Sequence, residues 1–191
     1  MAGFPAPELA SERLILRQVG ERDAGEVHAV WQDERFVQWA PVGYAHAHGD
    51  LAAAVEWCTA GAETRRADPG KVEFALEPRG AGRMAGLVGL TGADWDNRVA
   101  EIHYWTAAWA RGRGYAAEGT RVLAEWALRD AGLERIALVA AAGNAASRHV
   151  AVAAGFRLEG VLRSAAALRD GGRTDYAVYG LVRADLARPG R

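Results

Sequence analysis

The sequence predicts a mixed α/β fold of the order β-α-α-β-β-β-α-β-α-β-β, a mostly antiparallel sheet with helices packed against it. Three observations carry this. Strand-like runs at 71–77, 84–91 and 99–106 follow one another across the turn-rich segments PRGAG and GADWDN, and such short spacing implies antiparallel neighbours. The run at 99–106 then passes through Arg111-Gly112-Arg113-Gly114 into apolar residues at helical spacing, and a short apolar run returns at 135–139, which is the pattern of a parallel crossover. Finally, runs at 156–163 and 174–183 flank Asp170-Gly171-Gly172 and read as a hairpin.

Taken in order, RLILRQV at 13–19 alternates as a first strand, and residues 22–31 form a short amphipathic helix entered through Asp23. Residues 36–49, with Trp39, Pro41, Gly43 and Tyr44, are irregular. Leu51, Ala54, Val55 and Cys58 restore helical spacing over 49–62, and 65–70 is a polar loop. Beyond the three central strands the long helix runs from 114 to 131 and stops at Gly132, while Asn144 caps a further helix to Ala154. One domain over 1–187 is expected, with a disordered RPGR tail at 188–191.

Composition removes several classes of function. A net charge of −1 lacks the field that nucleic-acid binding needs, so no nucleic-acid partner is expected. Cys58 is the single cysteine, which excludes an internal disulfide and a multi-cysteine metal site; beside Trp57 in an apolar stretch it reads as a buried bystander. His46 and His48 lack a third partner, so no metal is expected. With no signal-like start and no run of membrane-spanning length, a cytoplasmic protein without a membrane partner is expected. Lys71 is the only lysine among 23 basic residues, a bias associated with GC-rich bacterial genomes.

The glycine turn is the most informative stretch. The first turn of a helix presents unpaired N–H groups at an electropositive end, which favours phosphate. Gly112 and Gly114 allow close approach to the main chain, and Arg111 and Arg113 add charge suited to phosphate oxygens. The turn fits the loose dinucleotide fingerprint G-x-G-x-x-A, but residues 107–111 separate it from its strand and no acidic residue ends the next strand. No Gly-Lys-Ser/Thr follows, as a nucleoside-triphosphate loop requires. A pyrophosphate cradle and a plain tight turn with exposed arginines remain.

Six pieces in order resemble the RimJ/RimL-like branch of the GNAT superfamily of acyl-CoA-dependent N-acetyltransferases: 12–17 (ERLILR), 100–105 (AEIHYW), 111–118 (RGRGYAAE), 144–148 (NAASR), Gly155-Phe156, and Asp175 with Tyr179. The resemblance implies a twisted, mostly antiparallel sheet with helices on both faces. It implies acetyl-CoA as co-substrate and an amine acceptor. The pyrophosphate would be held by main-chain amides of Arg111, Gly112, Arg113, Gly114 and Tyr115, with pantetheine added like a strand near Trp105 and Thr106 and touched by Asn144. Asn144 also suits a plain N-cap. The oxyanion donor would be a main-chain amide near Trp105 or Thr106.

Glu101 is the candidate base, with a solvated or arginine-paired strand carboxylate as the alternative. Period-two alternation puts His103 on the same face, as a second base or a side chain filling the acceptor cleft. The tyrosine that many superfamily members carry seven residues after the asparagine is Ala151 here, which leaves Ser147 to order the sulfur or pass a proton; the alternative is a first-turn serine. Trp109 stands where the superfamily usually has Gln or Arg. Trp39, Tyr44 and His103 are candidates for the acceptor side, with Asp94 and Asp96 available to attract a cationic amine. A protein amino terminus or a small amine would serve as acceptor, by direct attack in a ternary complex. A catalytically weak CoA-binding sensor and a nicotinamide-dependent oxidoreductase are the rivals, and a monomer or homodimer is expected.

Overall fold

Leu14, Leu16, Phe74, Leu76, Val88, Leu90, Ala100 and Ile102 project from consecutive strands into one buried cluster, and Leu123, Ala124, Ala127 and Leu128 of a long helix close it. That cluster is the centre of the computed structural model, which describes residues 3–4, 7–40, 48–168 and 171–187. The strands are β1 (Leu9–Ala10), β2 (Leu14–Arg17), β3 (Val72–Pro78), β4 (Gly86–Asp94), β5 (Val99–Thr106), β6 (Arg135–Ala141), β7 (Arg157–Ala167) and β8 (Arg173–Val182). They form one eight-stranded sheet in the order β1-β2-β3-β4-β5-β6-β8-β7, antiparallel everywhere except between β5 and β6. Each strand sends alternate residues to opposite faces. Helix α5 (Tyr115–Arg129) and helix α6 (Ala145–Ala153) cover one face. Helices α1 (Ala24–Trp31) and α3 (Leu51–Cys58) pack through Val27, Trp31, Ala54 and Cys58 on Ala75 and Leu87 of the other.

The predicted order holds, with the two-residue β1 and two short helices added. α2 (Glu34–Trp39) occupies the start of the segment read as irregular, capped by the Asp33 carboxylate, which accepts from the amides of Arg35 and Phe36. Pro41, Gly43, Tyr44 and His46 of the same segment lie outside the described residues, as do Asp170 and the 188–191 tail. α4 (Ala60–Ala67) takes the place of the expected polar loop; its apolar content is too low to mark a helix by periodicity, and Ala62 is its one buried residue. Cys58 is buried, and burial pushes its thiol up to about 11, so it stays protonated.

Asp23 does more than open a helix. Its side chain makes no capping bond to α1; instead both carboxylate oxygens face the Arg17 guanidinium at 2.6 and 2.7 Å, and Oδ2 also accepts from the Gly20 amide. Arg17 turns its Nε to Glu77 on β3 at 2.5 Å. This pairing ties α1 to the sheet from a position only 1% exposed. Removing one partner of such a pair leaves the other charge uncompensated. Asp23→Asn is therefore expected to cost about 3 kcal/mol, read as a fall of roughly 6–12 °C in the thermal midpoint; a fall under about 2 °C would show that the pair does not anchor the helix.

Candidate active site

Past the first turn of pairing, β5 and β6 part company. They are paired at Val99↔Arg135, Ala100↔Ile136 and Glu101↔Ala137 and no further, although β5 continues to Thr106 and β6 to Ala141. Each strand stays bonded along its other edge, β5 to β4 as far as Thr106 and β6 to β8 as far as Ala141. The sheet thus opens into a V with an unpaired edge of β5 on one arm. A bulge between Thr91 and Asp94 of β4, opposite Ala100, adds local twist beside the apex.

The glycine turn closes the open end. Gly112 and Gly114 both take positive φ, 72° and 79°, which a residue with a Cβ adopts only with strain. Gly114 is the N-cap of α5. Among the described residues the main-chain amides of Gly112 through Ala117 have no acceptor, while the Arg111 amide reaches Ala108 O at 3.5 Å. A row of unsatisfied donors at a helix N-terminus is an anion-binding arrangement. The turn is held from outside: Arg13 pairs with Glu118 in the first turn of α5 and donates to Arg113 O at 3.0 Å, and Ser11 bonds Glu118 at 2.5 Å.

The arginines of the turn do not converge on that row. Arg111 reaches Asp33 at 3.0 Å, the residue that caps α2, and Arg113 Nε donates to Trp109 O at 3.3 Å. Trp109, in a 3-10 turn at Ala108–Ala110, donates to Glu26 at 3.1 Å beneath the Arg83 guanidinium. At the other end of α2, the Trp39 ring comes so close to Gly143 that a Cβ there would lie 3.3 Å from Cη2. Gly143 precedes Asn144, so α2 spans the mouth of the V from the glycine turn to the start of α6. Trp39 is 36% exposed there.

Asn144 is an N-cap: Oδ1 accepts from the Ser147 amide at 3.0 Å, and its Nδ2 has no partner among the described residues. Ser147 Oγ lies 2.6 Å from Tyr104 Oη. Burial is the main reason the Tyr104 phenol is pushed up to about 12. Alternation on β5 places Tyr104 on the α5 face, packed against the core cluster, and no local pattern in the sequence marks its contact with Ser147.

Glu101, His103 and Trp105 share the opposite face of β5. Glu101 is exposed, and its carboxylate makes no ion pair among the described residues, so the arginine-paired alternative does not hold. Enough protein crowds it that desolvation raises its pKa, an effect the neighbouring His103 charge offsets only in part. His103 is engaged at one ring nitrogen: Nε2 is 3.2 Å from Glu73 Oε1, while Nδ1 is buried with no partner among the described residues. Glu73 receives Arg65 Nε at 2.6 Å, and Arg65 lies over the Trp57 ring at 3.7 Å. Burial works to raise Glu73, but the His103 and Arg65 contacts outweigh it and hold the carboxyl low. These residues sit on β3 and β5, two strands apart, with Gly89 of β4 between them in register.

Of the two acidic residues expected to attract a cationic amine, Asp94 ends β4 and Asp96 lies in the β4–β5 turn. Asp94 is spent on its own turn, accepting from the amides of Asp96 and Asn97 and from Asn97 Nδ2, and the Asn97 amide is the main cause of its lowered pKa. The turn precedes β5, whereas the glycine turn follows it. Trp95 packs on Phe4 with ring centroids 4.8 Å apart and belongs to the core.

The family model of the GNAT acetyltransferase domain matches residues 13–157. YdaF of Bacillus subtilis (strain 168), named for ribosomal N-acetyl transfer, is 35% identical over 102 residues, 53% of this chain and 55% of that protein, so the match spans about half of that relative's length. YoaA of the same strain, an N-acetyltransferase by name, is 25% identical over 177 residues, 93% of this chain and 97% of its own. Among solved structures, Mycobacterium smegmatis RimJ in complex with CoA-disulfide aligns at TM-score 0.84 and 22% identity over 98% of this chain and 93% of that one, a likeness of fold.

The close passage at Gly89 yields a direct test. A Cβ there would stand 2.8 Å from Val72 O, Glu73 Cγ and His103 Cε1. Gly89→Ala is expected to part Glu73 from His103 and to cost about 2 kcal/mol, seen as a denaturation midpoint lowered at unchanged m-value; a variant as stable as the parent would mean that the strands have room to spare.

Proposed function

The chain belongs to the GNAT acetyltransferase family, and from that premise we propose that it transfers an acetyl group from acetyl-CoA to a primary amine by direct attack in a ternary complex. The observation that carries this is the row of unpaired amides from Gly112 to Ala117 standing at the open end of the β5–β6 V. Those amides suit a diphosphate. The unpaired edge of β5 near Trp105 and Thr106 suits the pantetheine arm as an added strand, and the free Nδ2 of Asn144 suits one of its carbonyls. Acetyl-CoA is then aimed up the V with its thioester between the two faces of β5. No metal and no covalent enzyme intermediate enter the reaction.

Amide formation needs an unprotonated amine, stabilisation of the oxyanion and an outlet for the departing thiolate. Glu101 is the proton acceptor, acting through water: its carboxylate is exposed and unpaired. His103 is ill-suited to that task, because one ring nitrogen is on Glu73 and the other is walled off; it and Trp105 line the acceptor side, together with Trp39. Tyr44, also assigned to that side, lies outside the described residues. Ser147 attends the sulfur. The main-chain amides near Trp105 and Thr106 stabilise the oxyanion. The acceptor is a small-molecule amine or a protein amino terminus; a peptide α-amine titrates near 7.7–8.0, so an exposed carboxylate is base enough for it. The name of YdaF supports a protein amino terminus, and the half-exposed Trp39 at the cleft mouth supports a small molecule.

The proposal is tested by calorimetric titration with acetyl-CoA and NADPH and by thiol release with a panel of amines. Acetyl-CoA binding with amine-dependent thiol release is expected; binding without it would identify a CoA sensor, and binding of NADPH alone would point to an oxidoreductase. Glu101→Gln should lower kcat at least tenfold, given the usual worth of a general base, with CoA affinity within about twofold. A base works only when deprotonated, so activity should fall as pH drops through the raised Glu101 pKa, above the ordinary carboxylate range, and the Gln variant should lose that acid limb. An acid limb that survives in Glu101→Gln would assign it to another group. Because Arg111 is committed to Asp33, Arg111→Ala should leave the CoA dissociation constant within about threefold and cost about 1 kcal/mol of stability; a tenfold loss of CoA binding would put the guanidinium on the diphosphate.

A further inference from the structure

Ser147 is not a lone hydroxyl. Tyr104 Oη lies 2.6 Å from its Oγ and 3.2 Å from its main-chain O, and the Ser147 amide is held by Asn144. Tyr104 comes from β5 beyond the point where pairing to β6 stops, and Ser147 from the helix that follows β6. The two hydroxyls therefore bridge the arms of the V from inside, with the Tyr104 ring seated against the core cluster that contains Ala151.

We propose that Tyr104 is a positioning residue for Ser147, its phenol turning the serine proton onto the leaving CoA sulfur. This rests on the acetyl-transfer reading above. Each hydroxyl carries a single proton, so the pair has two arrangements. In the first, the phenol donates to Ser147 O and the serine donates to the phenol oxygen, which leaves nothing for the sulfur. In the second, the phenol donates to Ser147 Oγ and the serine proton is free. Rotation about the two C–O bonds interchanges them, breaks no O–H bond and leaves no charge on the protein.

As the amine nitrogen bonds to the thioester carbon and the C–S bond breaks, its electron pair passes to sulfur. The growing negative charge selects the second arrangement and is met by a charge-assisted hydrogen bond. The amine gives up its proton through water to Glu101, which returns it to solvent, and the thiolate takes one from solvent on release, so amine and thioester become amide and thiol with no net change in protons. Burial keeps the Tyr104 phenol protonated throughout, despite the opposing pull of its bond to Ser147.

The test is a double-mutant cycle on kcat with acetyl-CoA and an amine that the unaltered protein acetylates. Tyr104→Phe keeps the ring and its packing, and should lower kcat about tenfold with the CoA dissociation constant within twofold. Ser147→Ala should lower kcat at least as much. Adding Tyr104→Phe to Ser147→Ala should then cost nothing further. An equal loss in both backgrounds would mark a merely structural tyrosine and overturn the role, as would an unchanged kcat in Tyr104→Phe. Absence of amine-dependent thiol release from the unaltered protein would instead remove the acetyl-transfer reading, and this role with it.

Discussion

The arrangement of this molecule depends on a conflict of strand pairing at the centre of the sheet. β5 and β6 are each committed on their outer edges, to β4 and to β8, for the whole of their length, and they meet one another in parallel only at 99–101 and 135–137. Once they separate, the main chain of β5 has an edge inside the sheet with no strand to satisfy it. An unsatisfied edge is a liability unless something binds it. At the same end, the chain leaving β5 turns through Gly112 and Gly114 into α5 with its amides equally unpaired. Two sets of main-chain groups without partners among the described residues thus stand at one cleft.

What side chains do is hold the two arms at a fixed opening. Arg111 and Asp33 join the glycine turn to the N-terminus of α2, and Trp39 at the far end of that helix rests on Gly143 beside Asn144. Inside the V, Tyr104 and Ser147 make a second connection between the arms. The helix across the mouth therefore braces both arms of the V. Of the two arginines that look from the sequence like phosphate ligands, Arg111 serves as a tie to Asp33, while Arg113 turns its Nε to the Trp109 carbonyl.

On the other face of β5 the polar groups are graded by how fully they are engaged. Glu73 is held low between Arg65 and His103, His103 is occupied by Glu73, and the Glu101 carboxylate has no partner among the described residues. The grading is built on Gly89, whose missing side chain lets residues two strands apart touch across β4. A Cβ at 89 would crowd both members of the pair.

The sequence by itself determined every strand but the two-residue β1 and most of the helices, because hydrophobic periodicity and turn chemistry are local: the alternation of 99–106, the spacing of Val122, Leu123, Trp126 and Ala127, and the cap at Asn144 all act within a few residues of chain. It also marked the glycine turn, since positive φ at Gly112 and Gly114 is a property of those residues themselves. The weakly apolar α4 and the short α2 escaped, their stability coming from Ala62 in the core and from contacts at both ends of 34–39. What only the tertiary structure decided is which partner each polar group takes. Arg111 with Asp33, Asp23 with Arg17, Glu73 with His103 and Tyr104 with Ser147 are separated by up to tens of residues, and no local pattern encodes them. A side chain's charge is written in the sequence, but the group that answers it is set by how the sheet brings distant strands into register.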